Sequence, residues 1–335
     1  MKKVFTLIFS ILFLLSLCGC SLTETVSRSG NEYIVSAIGF DKTGNNLSVV
    51  LETIITKTEN KEAISETKLL KGAGDTVYTA FSDALKYATE PLYLSHLGVA
   101  VLGENLDAKT IDNIFHWFYN KQDTTLSTFF VSAKNAEELL NKKAVSSIAI
   151  GYDLVGLLEQ QSRESGTDYQ NRFYKIEALR QEKADTFSLP RFTYTGDDFY
   201  LDGITLYKNS NPQMFLNTDE TLYYLIATKK QKSGTVILDG TPIKLIRSST
   251  KYRLKKGDST TIIMDITLKS EYGTLNKEKV KQNIEELFEK AKTRDTDIYN
   301  LSEIIKTRDT ETWENLNNKQ NNGFHKLNVE VNIND

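Results

Sequence analysis

Apolar and polar positions alternate along the chain in a pattern that predicts strands and helices in turn over its first half. Residues 33–41 and 47–56 are predicted to be strands, joined by a turn over 42–46 whose residues tolerate positive φ, as in a β-hairpin. Apolar residues that recur with helical spacing from Val77 predict an amphipathic helix ending before Pro91. The first half therefore begins as a hairpin followed by a helix.

The alternation of strand and helix continues to about residue 182. The apolar run 97–102 predicts a strand covered on both faces, and a helix is predicted after Asp107. A strand over 125–132 leads to Asn135, where Glu138 follows at the spacing of a capping box and marks the start of another helix. Beyond these elements, the chain is expected to be helical or irregular and to cover or bridge the sheet.

After Pro190 the pattern changes to strands, which suggests a domain boundary near residue 190. One hairpin is predicted to turn at Asp239-Gly240. A helix is predicted from about Lys277 to Lys292, followed by a last helix that contains Trp313. The predicted strands cover residues 191–195, 199–208, 235–238, 243–253, 260–269 and a half-buried C-terminal segment, 327–333.

These elements predict an α+β fold of two or three small domains, each a mixed or antiparallel sheet with packed helices. Length and composition agree, because 335 residues with 40% hydrophobic content can build more than one core. The expected division is a lipoprotein signal peptide at 1–19, a tether at 20–31, an N-terminal α/β domain at 32–190, a strand-rich middle domain at 191–241 and a C-terminal α+β domain at 242–335.

The first twenty residues have the order of an export signal. Lys2 and Lys3 precede an uncharged run, 4–17, which at about 1.5 Å per residue spans about 21 Å, short of a bilayer core of about 30 Å. The run ends in Leu17-Cys18-Gly19-Cys20, which resembles the lipobox of bacterial lipoproteins. The resemblance implies that the Cys20 thiol receives a diacylglyceryl group and becomes the mature N-terminus, the alternatives being a plain secretory signal or an uncleaved anchor.

Charge and cysteine content exclude several classes of function. Without residues 1–19, 39 basic residues stand against 44 acidic ones, a net charge of −5, so the chain lacks the basic excess of a nucleic-acid-binding protein. Cys20 is then the only cysteine, and its lipidation leaves none for a disulfide or a metal. Membrane attachment through lipid is therefore expected, and nucleic acid is not expected as a partner.

Candidate catalytic and metal-binding residues are few. His96, His116 and His325 lack the spacing of metal ligands. Ser95 and His96 are adjacent, so on an extended segment their side chains point to opposite sides, and a structural turn in which His96 caps or packs is the favoured interpretation. The segment 71–75 lacks both phosphate-binding glycine patterns and is interpreted as a loop entering a helix. We expect no catalytic residue, no metal and no cofactor.

The remaining candidates are also interpreted structurally. The pairs Glu285-Glu286 and Asp197-Asp198 are expected to be solvated, because neither presents two inward-facing acids. Trp117 and Trp313 flank apolar helical stripes and are expected at the edge of a core or in an interface. Cys20 is thus the one residue with a predicted chemical role.

Motifs spread over the whole chain resemble the Ger(x)C family, the C-subunit lipoproteins of spore germinant receptors. The resemblance implies a lipid-anchored subunit on the outer face of the spore inner membrane, assembled with an A subunit and a permease-like B subunit. It implies a part in nutrient-triggered germination and no known catalytic activity. The motifs are Tyr33 to Lys42 (YIVSAIGFDK), Tyr93 to Leu97 (YLSHL), Val99 to Leu106 (VAVLGENL), Ala133 to Leu140 (AKNAEELL), Asp202 to Lys208 (DGITLYK), Phe215-Leu216-Asn217 with Glu220-Thr221, Ser233 to Val236 (SGTV) and Thr296-Asp297-Ile298.

Two other classes of function fit the sequence less well. A solute-binding lipoprotein that delivers a ligand to a transporter would need two similar α/β lobes around a cleft, whereas the two halves here differ in pattern. A lipid-anchored hydrolase would need a nucleophile, a base and an acid, which the sequence does not provide in a recognisable set. The sequence favours the receptor subunit and leaves open whether it binds a small molecule.

Overall fold

The computed structural model of the chain describes residues 33–59, 62–181, 186–238, 240–255, 260–273, 275–317 and 327–334. Within them the strands form two mixed sheets with packed helices, which confirms the predicted α+β class. The strands of the first sheet are β1 (Tyr33–Thr43), β2 (Asn46–Glu59), β3 (Glu62–Gly74), β4 (Leu92–Tyr93), β5 (Val99–Gly103), β6 (Phe129–Ala133), β7 (Thr186–Thr195), β8 (Asp198–Lys208) and β9 (Asn211–Leu216).

The second sheet and the helices complete the described elements. The strands of this sheet are β10 (Gly234–Leu238), β11 (Thr241–Lys255), β12 (Thr260–Tyr272) and β13 (Leu327–Asn334). The helices are α1 (Val77–Leu85), α2 (Ala108–Asn120), α3 (Ala136–Leu140), α4 (Ile150–Ser165), α5 (Phe173–Gln181), α6 (Thr218–Ala227), α7 (Lys277–Lys292), α8 (Leu301–Arg308) and α9 (Thr310–Asn317).

The first sheet runs in the order β3-β2-β1-β5-β6-β7-β8-β9, with β4 paired to β1. Its centre, from β1 to β7, is parallel, and its two ends are antiparallel hairpins. Helices α1, α2 and α5 cover one face, and α3 and α4 cover the other. Every residue of β5 is buried, because helices lie on both sides of it, as its apolar run predicts.

An aromatic cluster fills the core beneath α2. The rings of Phe118 and Phe130 lie 4.8 Å apart, and those of Phe81 and Trp117 lie 5.1 Å apart. Trp117 is only 2% exposed, so its predicted position at the edge of a core is wrong. Helix α1 packs over α2 and encloses the Trp117 ring. Trp313 agrees with its prediction, because it is partly buried against the core of the second sheet.

The second sheet runs in the order β10-β11-β12-β13, and among the described residues its helices pack on one face. The buried stripe of α7 packs there with the alternate residues of β11 and β12, as the helical spacing predicts. The predicted β10–β11 hairpin and the C-terminal strand are both confirmed, and β13 runs parallel to β12. The buried residues of α7 are Val280, Ile284, Leu287, Phe288 and Ala291.

The predicted boundaries do not coincide with the edges of the sheets. Residue 190 lies inside β7, which pairs with β6 on one side and β8 on the other, so the first sheet continues to Leu216. Residues 241 and 242 lie at the start of β11, which pairs with β10 across that position. The strands assigned to a middle domain are therefore shared between the two sheets, and the division of the chain into domains stays a prediction.

Three elements carry no readable pattern in the sequence. Residues 64–68 of β3 are all exposed, so this part of the strand lacks the alternation of a half-buried strand. Helix α6 lies between the two sheets, and its residues 221–227 are all buried, so it lacks a polar face. Strand β9 is the third element that the sequence does not predict. In addition, the segment predicted to be one last helix forms two helices, α8 and α9.

The two sheets are joined where the end of α4 crosses the segment before β10. Two glycines with positive φ, Gly166 and Gly234, allow the crossing: a Cβ on either would overlap the other segment's backbone. The fully buried side chain of Gln231 accepts a hydrogen bond from Thr167 Oγ1 at 2.8 Å and donates to the carbonyl groups of Ser165 and Ser233. We call residues 165–168 and 230–234 the junction.

Gly234→Ala should destabilise the protein. A backbone at φ +110° costs an alanine about 1–3 kcal/mol, and the overlap with Ser165 adds to that cost. Gly156→Ala is the matched control, because Gly156 lies within α4, a methyl group on its Cα would meet no atom within 4 Å, and the change should gain up to about 1 kcal/mol in helix propensity. Chemical unfolding of both variants measures the difference, and equal stability would contradict the role of the junction.

Candidate functional site

The residue with a predicted chemical role, Cys20, lies outside the described residues, as does His325. Its lipidation stays a prediction. Among the residues that the structure describes, no helix is both long enough and apolar enough to cross a membrane.

The Ser95-His96 pair lies in a turn between β4 and β5, where the Leu97 N–H donates to the Leu94 carbonyl at 3.0 Å. The turn is as predicted. Both side chains are exposed, so the expectation that His96 caps or packs is wrong: the turn directs it to solvent. The pair has no buried setting in which a base could activate the hydroxyl.

The other candidates do not converge either. His116 is exposed on α2, with Nε2 3.1 Å from the Asn120 side-chain amide. In the described ranges, no group of three or more His, Cys, Asp or Glu is placed to hold a metal ion. Asp197 and Asp198 are exposed as predicted, whereas Glu285 is half-buried and accepts a hydrogen bond from the Val331 N–H at 3.0 Å.

The segment 71–75 is not a loop. Lys71 to Gly74 form the end of β3, and Gly72 lies so close under α1 that a Cβ would overlap the backbone of Ala84. Thr76 caps α1 by accepting a hydrogen bond from the Thr79 N–H. The glycines allow close packing between strand and helix. Because the segment is a strand, it does not form the glycine-rich loop that an anion-binding site would need.

Asp41 is a buried carboxylate at the carboxyl end of β1. Its two oxygens accept hydrogen bonds from the N–H groups of Ala136 and Glu137 at 2.9 and 2.8 Å, in the first turn of α3. Burial raises the pKa of Asp41, while these two donors oppose the rise. Gly103 on β5 leaves room for the carboxylate, because a Cβ there would overlap Asp41 Oδ1. A strand residue thus fixes the start of a helix on the face of the sheet.

Glu52 does the same for α4 from the middle of β2. Its oxygens accept hydrogen bonds from the N–H groups of Ile150 and Gly151 at 2.7 and 2.8 Å, and from the Ser36 hydroxyl at 2.7 Å. The side chain is 3% exposed, and burial raises its pKa above the ordinary value of 4.5. The helix N-terminus supplies both donors and a favourable dipole for the carboxylate.

Ion pairs lie along the same edge of the first sheet. Lys42 pairs with Asp107, the N-cap of α2, and this hydrogen bond lowers the pKa of Asp107 to about 2. Arg191 bridges Glu104 at 2.6 Å and Asp202 at 3.3 Å. Its guanidinium also lies 4.5 Å from the ring centre of Phe215 on β9. The edge is a network of paired charges that ties β1, β5, β7, β8 and β9 together.

A cavity of about 440 Å³ lies beside the junction. Its charged lining is largely paired: Lys175 lies 2.9 Å from Asp168, and Arg172 lies 3.6 Å from Glu159. Burial raises the pKa of Tyr169, which also lines it, to about 12. The size is that of a small-ligand pocket, but the side chains are occupied with one another.

Comparison with known proteins agrees with the motifs. A family model described as the spore germination protein N-terminal domain matches residues 31–194. The chain is 24% identical over 232 residues to the spore germination protein GerQC of Bacillus cereus, a match that covers 66% of this chain and 64% of that relative. These matches support the assignment of the chain to the Ger(x)C family, the C subunits of spore germinant receptors. The matched region thus spans slightly less than two thirds of that relative's length.

A solved Ger(x)C structure has the same fold. The crystal structure of the GerBC protein aligns with a TM-score of 0.55 at 15% identity, over 88% of this chain and 95% of that one. The likeness supports the two-sheet α+β architecture described above.

The motif residues of this Ger(x)C chain have architectural roles. Asp41 caps α3, Asn217 and Glu220 form the capping box of α6, and Asp297 accepts hydrogen bonds from Leu301 and Ser302 N–H groups at 2.8 and 2.7 Å. The positive φ of Gly203 and Gly234 permits close backbone crossings.

Glu52 is the structural residue that sequence reasoning missed. It is the one charged residue in the buried run VVLETII of β2, and that isolation is the signal that could have found it. A charge inside a fully apolar run must find partners or destabilise the fold.

Asp41→Asn should destabilise the Ger(x)C fold by about 1–3 kcal/mol. The amide group of asparagine would face one of the two backbone N–H donors, leaving a buried polar group unsatisfied. Asp107→Asn is the control, because asparagine caps a helix as well as aspartate and the Lys42 pair is exposed, so less than about 1 kcal/mol is expected. Urea unfolding at pH 7 compares the two, and an equal loss would contradict the assigned role of Asp41.

The contribution of Glu52 should depend on pH with a definite sign. Because its pKa is raised in the folded protein, the folded state holds the proton more tightly than the unfolded chain. The stability advantage of the parent over Glu52→Gln is therefore largest below pH 4.5 and should fall as the pH rises through the folded pKa. Unfolding both proteins across a pH series tests this, and an advantage that grows with pH would refute it.

Proposed function

We propose that the protein is a lipid-anchored, non-catalytic subunit of a nutrient germinant receptor. In this role it binds the membrane subunits A and B and is needed for their assembly and signalling during spore germination. The observation that carries the proposal is the use of the family motifs: side chains such as Asp41, Asn217 and Asp297 are engaged in capping helices. Because these motif residues stabilise the fold, the protein would act by presenting its surfaces to partner proteins.

The absence of a catalytic arrangement in the described residues supports the non-catalytic part of the proposal. The exposed Ser95-His96 turn offers no oriented base, and no metal-binding cluster is found within those ranges. The proteins that the chain resembles are named for germination and not for a reaction.

The proposed anchor is lipid on Cys20, on the outer face of the spore inner membrane. Two acyl chains suffice for stable attachment, whereas a single chain binds membranes only marginally. The eleven residues after Cys20 can span at most about 40 Å in any conformation. The first sheet would then remain near the bilayer that holds the A and B subunits.

Cys20→Ala should release the protein from the membrane fraction of spores and reduce the germination response to nutrients, because the acyl acceptor is lost. Cys18→Ala is the matched control, since Cys18 lies in the same signal but would be removed with it. Fractionation, mass spectrometry of the mature N-terminus and co-purification of the A and B subunits are the measurements. A Cys20→Ala protein that is still membrane-bound and cleaved normally would overturn the anchor; failure of the parent to co-purify with either subunit would overturn assembly.

The cavity beside the junction favours one other function, that of a solute-binding lipoprotein of a transporter. The two sheets are unlike, however: within the described part of the chain, helices pack on both faces of the first sheet and on one face of the second. A melting-temperature increase of the purified protein with amino acids, sugars or nucleosides would support ligand binding. The receptor proposal expects no such increase.

A further inference from the structure

The outward face of the second sheet is strongly basic. Helices α6, α7 and α8 pack on one face, so alternate residues of β11, β12 and β13 point away from them. Six of these outward residues are basic and three are acidic, in a chain whose formal net charge is −3. We call this surface the basic face; its cations are Lys244, Arg247, Lys251, Arg253, Lys255 and Lys269, and its acids are Asp265, Glu271 and Glu330.

Part of this charge is left without a partner. Arg253 forms a two-pronged pair with Asp265, and Lys244 pairs with Glu271 at 2.8 Å. Arg247 and Lys269 stand directly opposite each other on β11 and β12, both exposed, and neither has an acidic partner within the described ranges. Like charges in a directly opposed cross-strand pair destabilise a sheet, so this pair favours an external anion.

Exposed apolar side chains border the basic face at one end. Ile237 on β10 is 62% exposed and stands opposite the exposed Pro242 on β11. Ile246, at a bulge beside Arg247, is 48% exposed, and Tyr272, in register with Lys244, is 49% exposed. Basic residues beside exposed apolar and aromatic ones are typical of surfaces that lie in a membrane interface.

The composition of the surface fits a bilayer better than a polynucleotide. At the centre of the basic face, Ser249 and Thr267 stand opposite each other, so small polar side chains lie between its cations. Apart from Tyr272 at its end, the outward residues of β11 and β12 include no aromatic side chain on which bases could stack. A basic surface with an apolar border matches a layer of anionic headgroups above an apolar interior.

We propose that the basic face rests on anionic phospholipid headgroups and holds the body of the protein against the membrane. The inference rests on the proposed function, in which lipid on Cys20 brings the chain to a bilayer. The tether of residues 20–31 extends to at most about 40 Å, so it permits the body either to stand off from the membrane or to lie on it. Contact between the basic face and the headgroups favours the arrangement in which the body lies on the membrane.

Vesicle flotation tests the proposal with residues 20–335 carrying Cys20→Ser, so that no acyl chain contributes. The protein is mixed with vesicles of phosphatidylcholine alone or with added phosphatidylglycerol. The double variant Arg247→Gln, Lys269→Gln is compared with the control Lys109→Gln, Lys143→Gln, which removes two exposed cations of the first sheet's helix and loop. Unfolding midpoints check that all proteins are folded, and removal of the like-charged pair should not lower stability.

The parent should bind only the vesicles with phosphatidylglycerol, and binding should weaken as salt is added. The Arg247, Lys269 variant should lose on the order of twentyfold in affinity, about fivefold per cation, whereas the control should change less than about twofold. Parent binding that ignores phosphatidylglycerol, no parent binding, or an equal loss in the control would overturn the proposal. So would retention of the parent, but not the variant, on immobilised polyglutamate without vesicle binding, which would indicate an acidic protein partner.

The test is independent of the anchor. Because the protein in the flotation assay carries Cys20→Ser, failure there would leave lipid attachment in spores unaffected. Conversely, a Cys20→Ala protein that remains bound to spore membranes would refute the anchor without deciding what the basic face contacts.

Discussion

Two buried carboxylates on adjacent strands determine how the first unit is built. Asp41 and Glu52 each direct both oxygens at the N-terminus of a helix, and the two helices lie on the same face of the sheet. A buried charge is costly unless it is paired or fully hydrogen-bonded, and the free backbone donors of a helix end satisfy it. The chain thereby positions α3 and α4 by specific bonds and not by apolar contact alone, which any rotation of the helix could satisfy.

The same principle recurs beyond the first sheet. Asn217 with Glu220 fixes the start of α6, and Asp297 fixes the start of α8. Glycines at the crossings remove the side chains that would hold backbones apart. The motifs by which the Ger(x)C family can be recognised in this chain are thus largely rules of assembly for its own elements. Surface residues do not take part in these internal contacts, so they can differ between proteins that bind different partners.

Much of the fold could be predicted because one side of most elements is buried and the other is not. The stripe of α7 and the alternation of β13 are visible for that reason. The pattern disappears where both sides share one environment, as in residues 221–227 of α6, which are all buried, and residues 64–68 of β3, which are all exposed. Which strands share a sheet depends on contacts distant in sequence, so the boundary near residue 190 could not be placed from local pattern. For the site, the lipidation of Cys20 is predicted from its neighbours in sequence and stays a prediction, whereas the hydrogen bonds of Glu52 are visible only in three dimensions.

The position of α6 has a mechanical consequence. Its side chains fill the space between the two sheets and belong to one continuous core with β8, β9, β11 and β12. Protein interiors are close-packed and transmit strain, so we expect a displacement of one sheet to reach the other through α6. A partner that moves one end of the body would then move the opposite end with it.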